Sequence, residues 1–258
     1  MNQSSASARQ TALVTGGAGG IGVAICRYLA DAGHRVAVAD LNADAAARVA
    51  AMLPGEGHFG LAIDVSDEAS VAGAFDRVTE EAGRPTILIA GAGVLFFKPD
   101  GQRPLIKEIS LADWTRTMTI NQTGCFLTCR EFARRLPEGR SFGRIVTISS
   151  VTAQLGGYRS NAAYIASKAA VIGFTKALAR ELAPQGVTVN SVAPGLIDAP
   201  MLRQSLPQER DSEVAATIPL GRIGLPEDVA DAVAYLVSEG ANYQTGTTID
   251  VNGGYRMQ

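Results

Sequence analysis

Short apolar runs alternate with longer stretches of helical period along most of this 258-residue chain. Seven of the runs, 11–15, 35–39, 58–63, 86–90, 144–149, 187–192 and 247–250, read as strands. Several are almost wholly apolar, Ile87-Leu88-Ile89 among them, which suits strands covered by helices on both faces. Strands that alternate with helical stretches signal βαβ units, right-handed crossovers and a parallel sheet. Caps mark the helix starts. Asn42 opens one, Ser66-Asp67 another, and Pro226-Glu227-Asp228 is a first turn with proline in its favoured place. A further helix is expected from about Asn161 to Leu182. No repeat, low-complexity tract or linker interrupts the pattern, so one α/β domain is expected over 11–258. The small polar residues of 1–10 are expected to form a flexible N-terminus.

After the first strand comes Thr15-Gly16-Gly17-Ala18-Gly19-Gly20-Ile21-Gly22, leading into a helix. Glycine permits the sharp turn there and lets a pyrophosphate approach the backbone, while the helix N-terminus offers free N–H groups and the positive end of its dipole. A glycine-rich loop is weak evidence alone; its strand–loop–helix setting strengthens it. The second strand ends in Asp40, about twenty residues on. A carboxylate there accepts hydrogen bonds from both adenosine ribose hydroxyls and repels a 2′-phosphate, so NAD is expected over NADP. The expected fold is thus a Rossmann-type doubly wound parallel sheet of about seven strands, helices on both faces.

Tyr164-Ile165-Ala166-Ser167-Lys168 lies inside the long helical stretch, and the spacing of four puts Tyr164 and Lys168 on one face. A free tyrosine titrates near pH ~10 and is a poor acid or base at neutral pH. A cation one turn away favours the phenolate and is expected to lower that pKa. Ser149 and Ser150 close the preceding strand, where a hydroxyl can hydrogen-bond a substrate oxygen.

Composition removes other chemistries. Lys and Arg number 23 against 25 Asp and Glu, the signs are interspersed, and no positive stripe suits nucleic acid. No apolar run is long enough for a membrane span and none resembles a signal peptide's core, so a soluble cytoplasmic protein is expected. The odd count of three cysteines, Cys26, Cys125 and Cys129, fits a reducing compartment; Cys125 and Cys129 read as buried small hydrophobes. Neither His34 nor His58 has a carboxylate or cysteine at ligand spacing, so no metal is expected.

Together, Thr15-Gly16…Gly20-Ile21-Gly22, Asp40, Asp64-Val65, Asn121, Ser150, Tyr164…Lys168 and Pro194-Gly195 resemble the short-chain dehydrogenase/reductases, from about Thr11 to the C-terminus. The resemblance implies hydride transfer between a nicotinamide coenzyme and the carbon of a secondary alcohol or ketone. It implies Tyr164 as acid/base, Lys168 holding the nicotinamide ribose, Ser150 positioning the substrate oxygen and Asn121 anchoring a water chain to the lysine. Gly16, Gly20, Ile21, Gly22, Asp40, Leu41, Asp64, Val65, Ala90, Gly91, Pro194, Gly195 and Ile197 join Tyr164 and Lys168 as the implied cofactor contacts. Homotetramers or homodimers are implied as well. Rival classes fit less well: a dinucleotide-sensing regulator would not need both Tyr164 and Lys168, and an epimerase of the extended type needs a longer substrate domain.

Four departures stand out. Ala90-Gly91-Ala92-Gly93 replaces the family's Asn-Asn-Ala-Gly, so two asparagine side chains need substitutes. The Ser150-to-Tyr164 spacing is one residue longer than usual, with the extra residue expected in the loop 156–161. The stretch from Gly93 to Asn121 is about half a dozen residues longer than expected, and the Pro and Gly within 94–110 mark a loop, expected either at the active-site rim or a subunit contact or as an inert surface insertion. Ala199 stands where the family often has threonine. The residues expected to face substrate are Ser150, Thr152, Gln154, Tyr158 and Leu196, a mixture that suits a polyol or sugar better than a steroid; a 3-oxoacyl thioester is the alternative.

Overall fold

The computed structural model describes residues 9–257; most of the N-terminal segment expected to be flexible therefore lies outside the described residues. Each of the seven apolar runs forms a strand: β1 (Thr11–Thr15), β2 (Arg35–Asp40), β3 (Phe59–Ala62), β4 (Ile87–Ala90), β5 (Gly143–Ile148), β6 (Val187–Pro194) and β7 (Thr248–Val251). They make one sheet in the order β3-β2-β1-β4-β5-β6-β7, every pair parallel. The first three strands step one way and the rest step the other, so the order reverses between β1 and β4. A crevice opens there at the carboxyl edge.

Strand ends differ from the expected ones by a residue or two, for local reasons. β3 starts at Phe59, where its pairing with Ala37 of β2 begins, and the preceding His58 meets β2 through its ring instead: Nδ1 accepts from the Val36 N–H (3.1 Å) while Nε2 faces the Pro54 carbonyl (2.8 Å). β6 runs on through Pro194 because β7 pairs with it from Ser191 to Pro194.

The helices are α1 (Gly20–Asp31), α2 (Ala43–Ala51), α3 (Glu68–Ala82), α4 (Leu111–Met118), α5 (Gly124–Arg134), α6 (Thr152–Leu155), α7 (Ala162–Leu182), α8 (Pro200–Arg203), α9 (Asp211–Ala215) and α10 (Pro226–Val237). Asn42 caps α2 by accepting from Ala45 N, Asp67 caps α3 by accepting from Ala69 N, and Pro226 opens α10. Strand alternation divides the core in two. Val14, Val38 and Ile89 pack with Ile25 of α1 and Val233 of α10 on one face. Leu13, Leu88 and Val189 pack with Phe75, Phe132 and Leu178 of α3, α5 and α7 on the other.

Between α4 and α5 the helical ladder widens into a π turn, Thr119–Thr123, which carries the buried Asn121. Such turns disrupt regular bonding and are frequent at functional sites.

Candidate active site

A cleft of about 520 Å³ follows the sheet's carboxyl edge, from the glycine loop and Asp40 at one end to Ser150, Tyr164 and Lys168 at the other. At the loop end, Gly16 takes φ +69°, and a Cβ on Gly22 would collide with the Gly16 carbonyl oxygen. Helix α1 therefore packs directly on the loop. No side chain caps α1 and no acid stands in its first turn, so its N–H groups and positive dipole end are left for a phosphate. These residues fit a dinucleotide's pyrophosphate. Beside them the Asp40 carboxylate is fixed by the Ala18 and Asn42 N–H groups, each at 3.2 Å, and lines the cleft.

In the Ala90-Gly91-Ala92-Gly93 stretch, Thr15 Oγ1 accepts from Gly91 N (3.1 Å) and Ala92 N (3.3 Å). This contact follows from β1 and β4 being neighbours, which no local pattern in the sequence displays.

At the other end, Asn161 caps α7 by accepting from Tyr164 N at 3.0 Å. That bond starts the helix so that Tyr164 and Lys168 share its inner face, both buried. Lys168 Nζ lies 5.8 Å from the Tyr164 ring centroid and donates to the Ile148 carbonyl at 2.8 Å. Ser150 stands close enough to Tyr164 to favour its ionised form and accepts from Thr152 N and Oγ1, at 3.2 and 3.0 Å. Ser149 Oγ donates instead to the Lys168 carbonyl at 2.9 Å and braces α7.

The expectation that Lys168 lowers the Tyr164 pKa needs correction. Burial pushes the phenol up to about 12, only partly opposed by Ser150. Burial also pushes Lys168 down to about 8, against a smaller opposite influence of Cys125. In the chain by itself desolvation outweighs the attraction of the neighbouring ammonium.

Asn121 Oδ1 accepts from Val94 N at 2.7 Å, and its Nδ2 donates to Val94 O (2.9 Å) and Ser167 Oγ (3.1 Å). It ties the segment after β4 to α7. A Cβ built on Gly93 would stand 3.2 Å from Lys168 Nζ and 3.3 Å from Asn121 Oδ1, so glycine keeps the space between the two open.

Of the remaining expected contacts, Gly20, Ile21, Gly91, Pro194, Gly195, Leu196 and Ile197 line the cleft, as do Thr152 and Tyr158. Leu41 is exposed beyond it, while Ala90 and Val65 are buried in the core. Asp64 lies outside the lining and its carboxylate accepts from Ser66 N at 2.9 Å. Gln154 is a correction: it does not line the cleft. Its Nε2 donates to Asp250 Oδ1 (3.0 Å), and Asp250 Oδ2 accepts from Arg256 (2.9 Å), joining the end of α6 to the C-terminal segment. That segment brings Tyr255 into the lining, a placement without any local signal in the sequence.

The long segment after β4 does reach the rim, where Leu95 and Phe97 line the cleft. It also meets the lengthened loop before α7: Asn161 Nδ2 donates to Phe96 O (2.9 Å) and Arg103 to Ser160 O (3.3 Å). The two departures from family length thus brace one another. Arg103→Ala is expected to cost about 1 kcal/mol of stability and to raise the substrate KM about threefold, checked by thermal melts and initial rates; unaltered values for both would make the brace inert.

The three cysteines are free and buried, and among the described residues no group of His, Cys, Asp and Glu is placed to hold a metal. No helix among them is long and apolar enough to cross a membrane.

Comparison with known proteins agrees with this geometry. Residues 16–256 match the family model described as enoyl-(acyl carrier protein) reductase, a model of the short-chain dehydrogenase/reductases. D-threitol dehydrogenase of Mycolicibacterium smegmatis is 38% identical, over 96% of this chain and 94% of that protein. Cis-4-hydroxycyclohexanecarboxylate dehydrogenase of Sinomonas cyclohexanicum is 39% identical, over 96% and 97%. A short-chain type dehydrogenase/reductase of Mycobacterium marinum superposes with a TM-score of 0.87 at 34% identity, covering 96% of each chain. With its doubly wound sheet, glycine loop and Ser-Tyr-Lys cluster, the chain belongs to the short-chain dehydrogenase/reductase family.

Proposed function

We propose that this oxidoreductase transfers hydride between NAD(H) and the secondary alcohol or ketone carbon of a small substrate, with Tyr164, Ser150, Lys168 and Asn121 as its catalytic set. The carrying observation is the gathering of Ser150, Tyr164 and buried Lys168 on one wall, at the far end of a cleft that begins with an uncapped helix N-terminus. When bound, the nicotinamide supplies the hydride donor or acceptor. Asp40 would hold the adenosine ribose hydroxyls, and the N–H groups opening α1 the pyrophosphate. Lys168 would hold the nicotinamide ribose. Tyr164 Oη gives a proton to the substrate oxygen in reduction and takes it in oxidation, while Ser150 Oγ hydrogen-bonds the same oxygen. Asn121 keeps the Val94 backbone and α7 in register, and would anchor a water chain to Lys168.

The position of Asp40 favours NAD over NADP, and with it disfavours the 3-oxoacyl thioester alternative in its NADP-dependent form. We further propose a cytoplasmic homotetramer or homodimer, to be tested by light scattering. The two relatives differ in the charge of the substrates they are named for, a neutral polyol and a carboxylate.

The direct test is reduced-nicotinamide absorbance when purified protein meets NAD and a panel of secondary alcohols. Turnover by any alcohol supports the reading; silence with both coenzymes in both directions sinks it. The pH profiles add a second check. With the phenol held near 12, the phenolate is scarce at neutral pH. Alcohol oxidation, which needs the phenolate, is expected to accelerate from roughly pH 7 to 9, and ketone reduction, which needs the phenol, to show no such rise. A flat oxidation profile would place the base elsewhere.

A further inference from the structure

Three charged residues line the cleft: Asp40 at the adenosine end, and Lys168 and Arg159 at the reaction end. Lys168 is buried and donates to the Ile148 carbonyl beneath Tyr164. Arg159 is different. It sits half-buried on the lengthened loop that Gly156 and Gly157 turn at positive φ, between Tyr158 at the mouth and Ser160, which Arg103 pins.

Arg159 forms no ion pair among the described residues, although acids stand on the segment across the cleft. Glu213, whose field reaches it, is held by both arms of Arg210 at 2.8 and 2.9 Å. Asp198 and Asp211 are both taken by Arg203, at 2.7 and 2.6 Å. Each of these carboxylates already has an arginine, so Arg159 remains a surplus cation at the reaction end. The same cleft is lined by Leu95, Phe97, Leu196, Met201 and Leu202, with Gln204, Ser205 and Tyr255 as its polar members on the C-terminal half of the chain. A guanidinium beside apolar walls pairs a carboxylate in two parallel hydrogen bonds, and the low polarity nearby strengthens the pair.

We propose that Arg159 determines substrate specificity, and that the substrate is a hydroxy or oxo carboxylate with an apolar body, its carboxylate on Arg159 and its carbinol carbon at Tyr164. This deepens the dehydrogenase reading above and rests on it. A neutral polyol would leave the guanidinium unpaired.

The test compares hydroxybutyrate and a hydroxycyclohexanecarboxylate with their methyl esters, and with threitol as a neutral polyol. In the unaltered protein the acids are expected to exceed their esters about 30-fold in kcat/KM, through KM and not kcat. Arg159→Gln should collapse that acid-to-ester ratio towards one, and Arg159→Lys should restore part of it. Equal rates with acid and ester, a preference for threitol, or a ratio that survives Arg159→Gln would overturn the inference and leave the dehydrogenase reading standing. No turnover of any alcohol or ketone with either coenzyme would overturn both.

Discussion

Tyr164→Phe is expected to reduce turnover about a thousandfold in both directions while NADH still binds within about threefold of its original affinity. The substitution removes one oxygen. The ring, its burial and the Asn161 cap that starts α7 all remain, so the protein stays folded and the coenzyme end of the cleft is untouched. What disappears is the hydroxyl proposed to carry the proton to and from the substrate oxygen. The loss should appear in kcat and kcat/KM together, since proton transfer belongs to the transition state and not to ground-state binding. Steady-state rates with NADH fluorescence titration separate the two quantities. A variant that keeps a tenth of its activity would mean that another group moves the proton.

Asp40→Ser should shift coenzyme choice by the next largest amount. The carboxylate is held at the cleft edge by two backbone N–H groups, so it cannot swing away from an incoming 2′-phosphate. Removing one fixed charge of a repelling pair in a half-exposed setting is worth ~2 kcal/mol, about a 30-fold change in preference. Loss of the ribose hydrogen bonds also weakens NAD, so the NAD-to-NADP ratio of kcat/KM is expected to fall from both sides. The ratio measured in the variant and the unaltered protein decides the matter; an unchanged ratio would mean that Asp40 does not meet the adenosine ribose.

Much of this architecture was legible in the sequence because its signals are local. The apolar runs of β1, β2 and β4, the Asn42 and Asp67 caps, and the spacing of four between Tyr164 and Lys168 each depend on neighbours a few residues away. What stayed hidden depends on partners far along the chain. Thr15 holds the backbone after β4 only because β1 and β4 adjoin. Gln154 resembles a pocket residue until Asp250, in β7, claims its amide. Tyr255 enters the cleft from the last turns of the chain. The raised pKa of Tyr164 is hidden from the sequence for a related reason. The neighbouring lysine is visible in the sequence, but the depth of burial that outweighs it is a property of the whole fold.

The central claim is hydride transfer itself, and isotope tracing tests it most directly. A secondary alcohol carrying deuterium on its carbinol carbon would be incubated with NAD and the protein, and the coenzyme examined by mass spectrometry. Reduced coenzyme heavier by one deuterium, formed by the unaltered protein and not by Tyr164→Phe, is the predicted result. Product formed with the deuterium lost to water, or with the coenzyme unreduced, would contradict it.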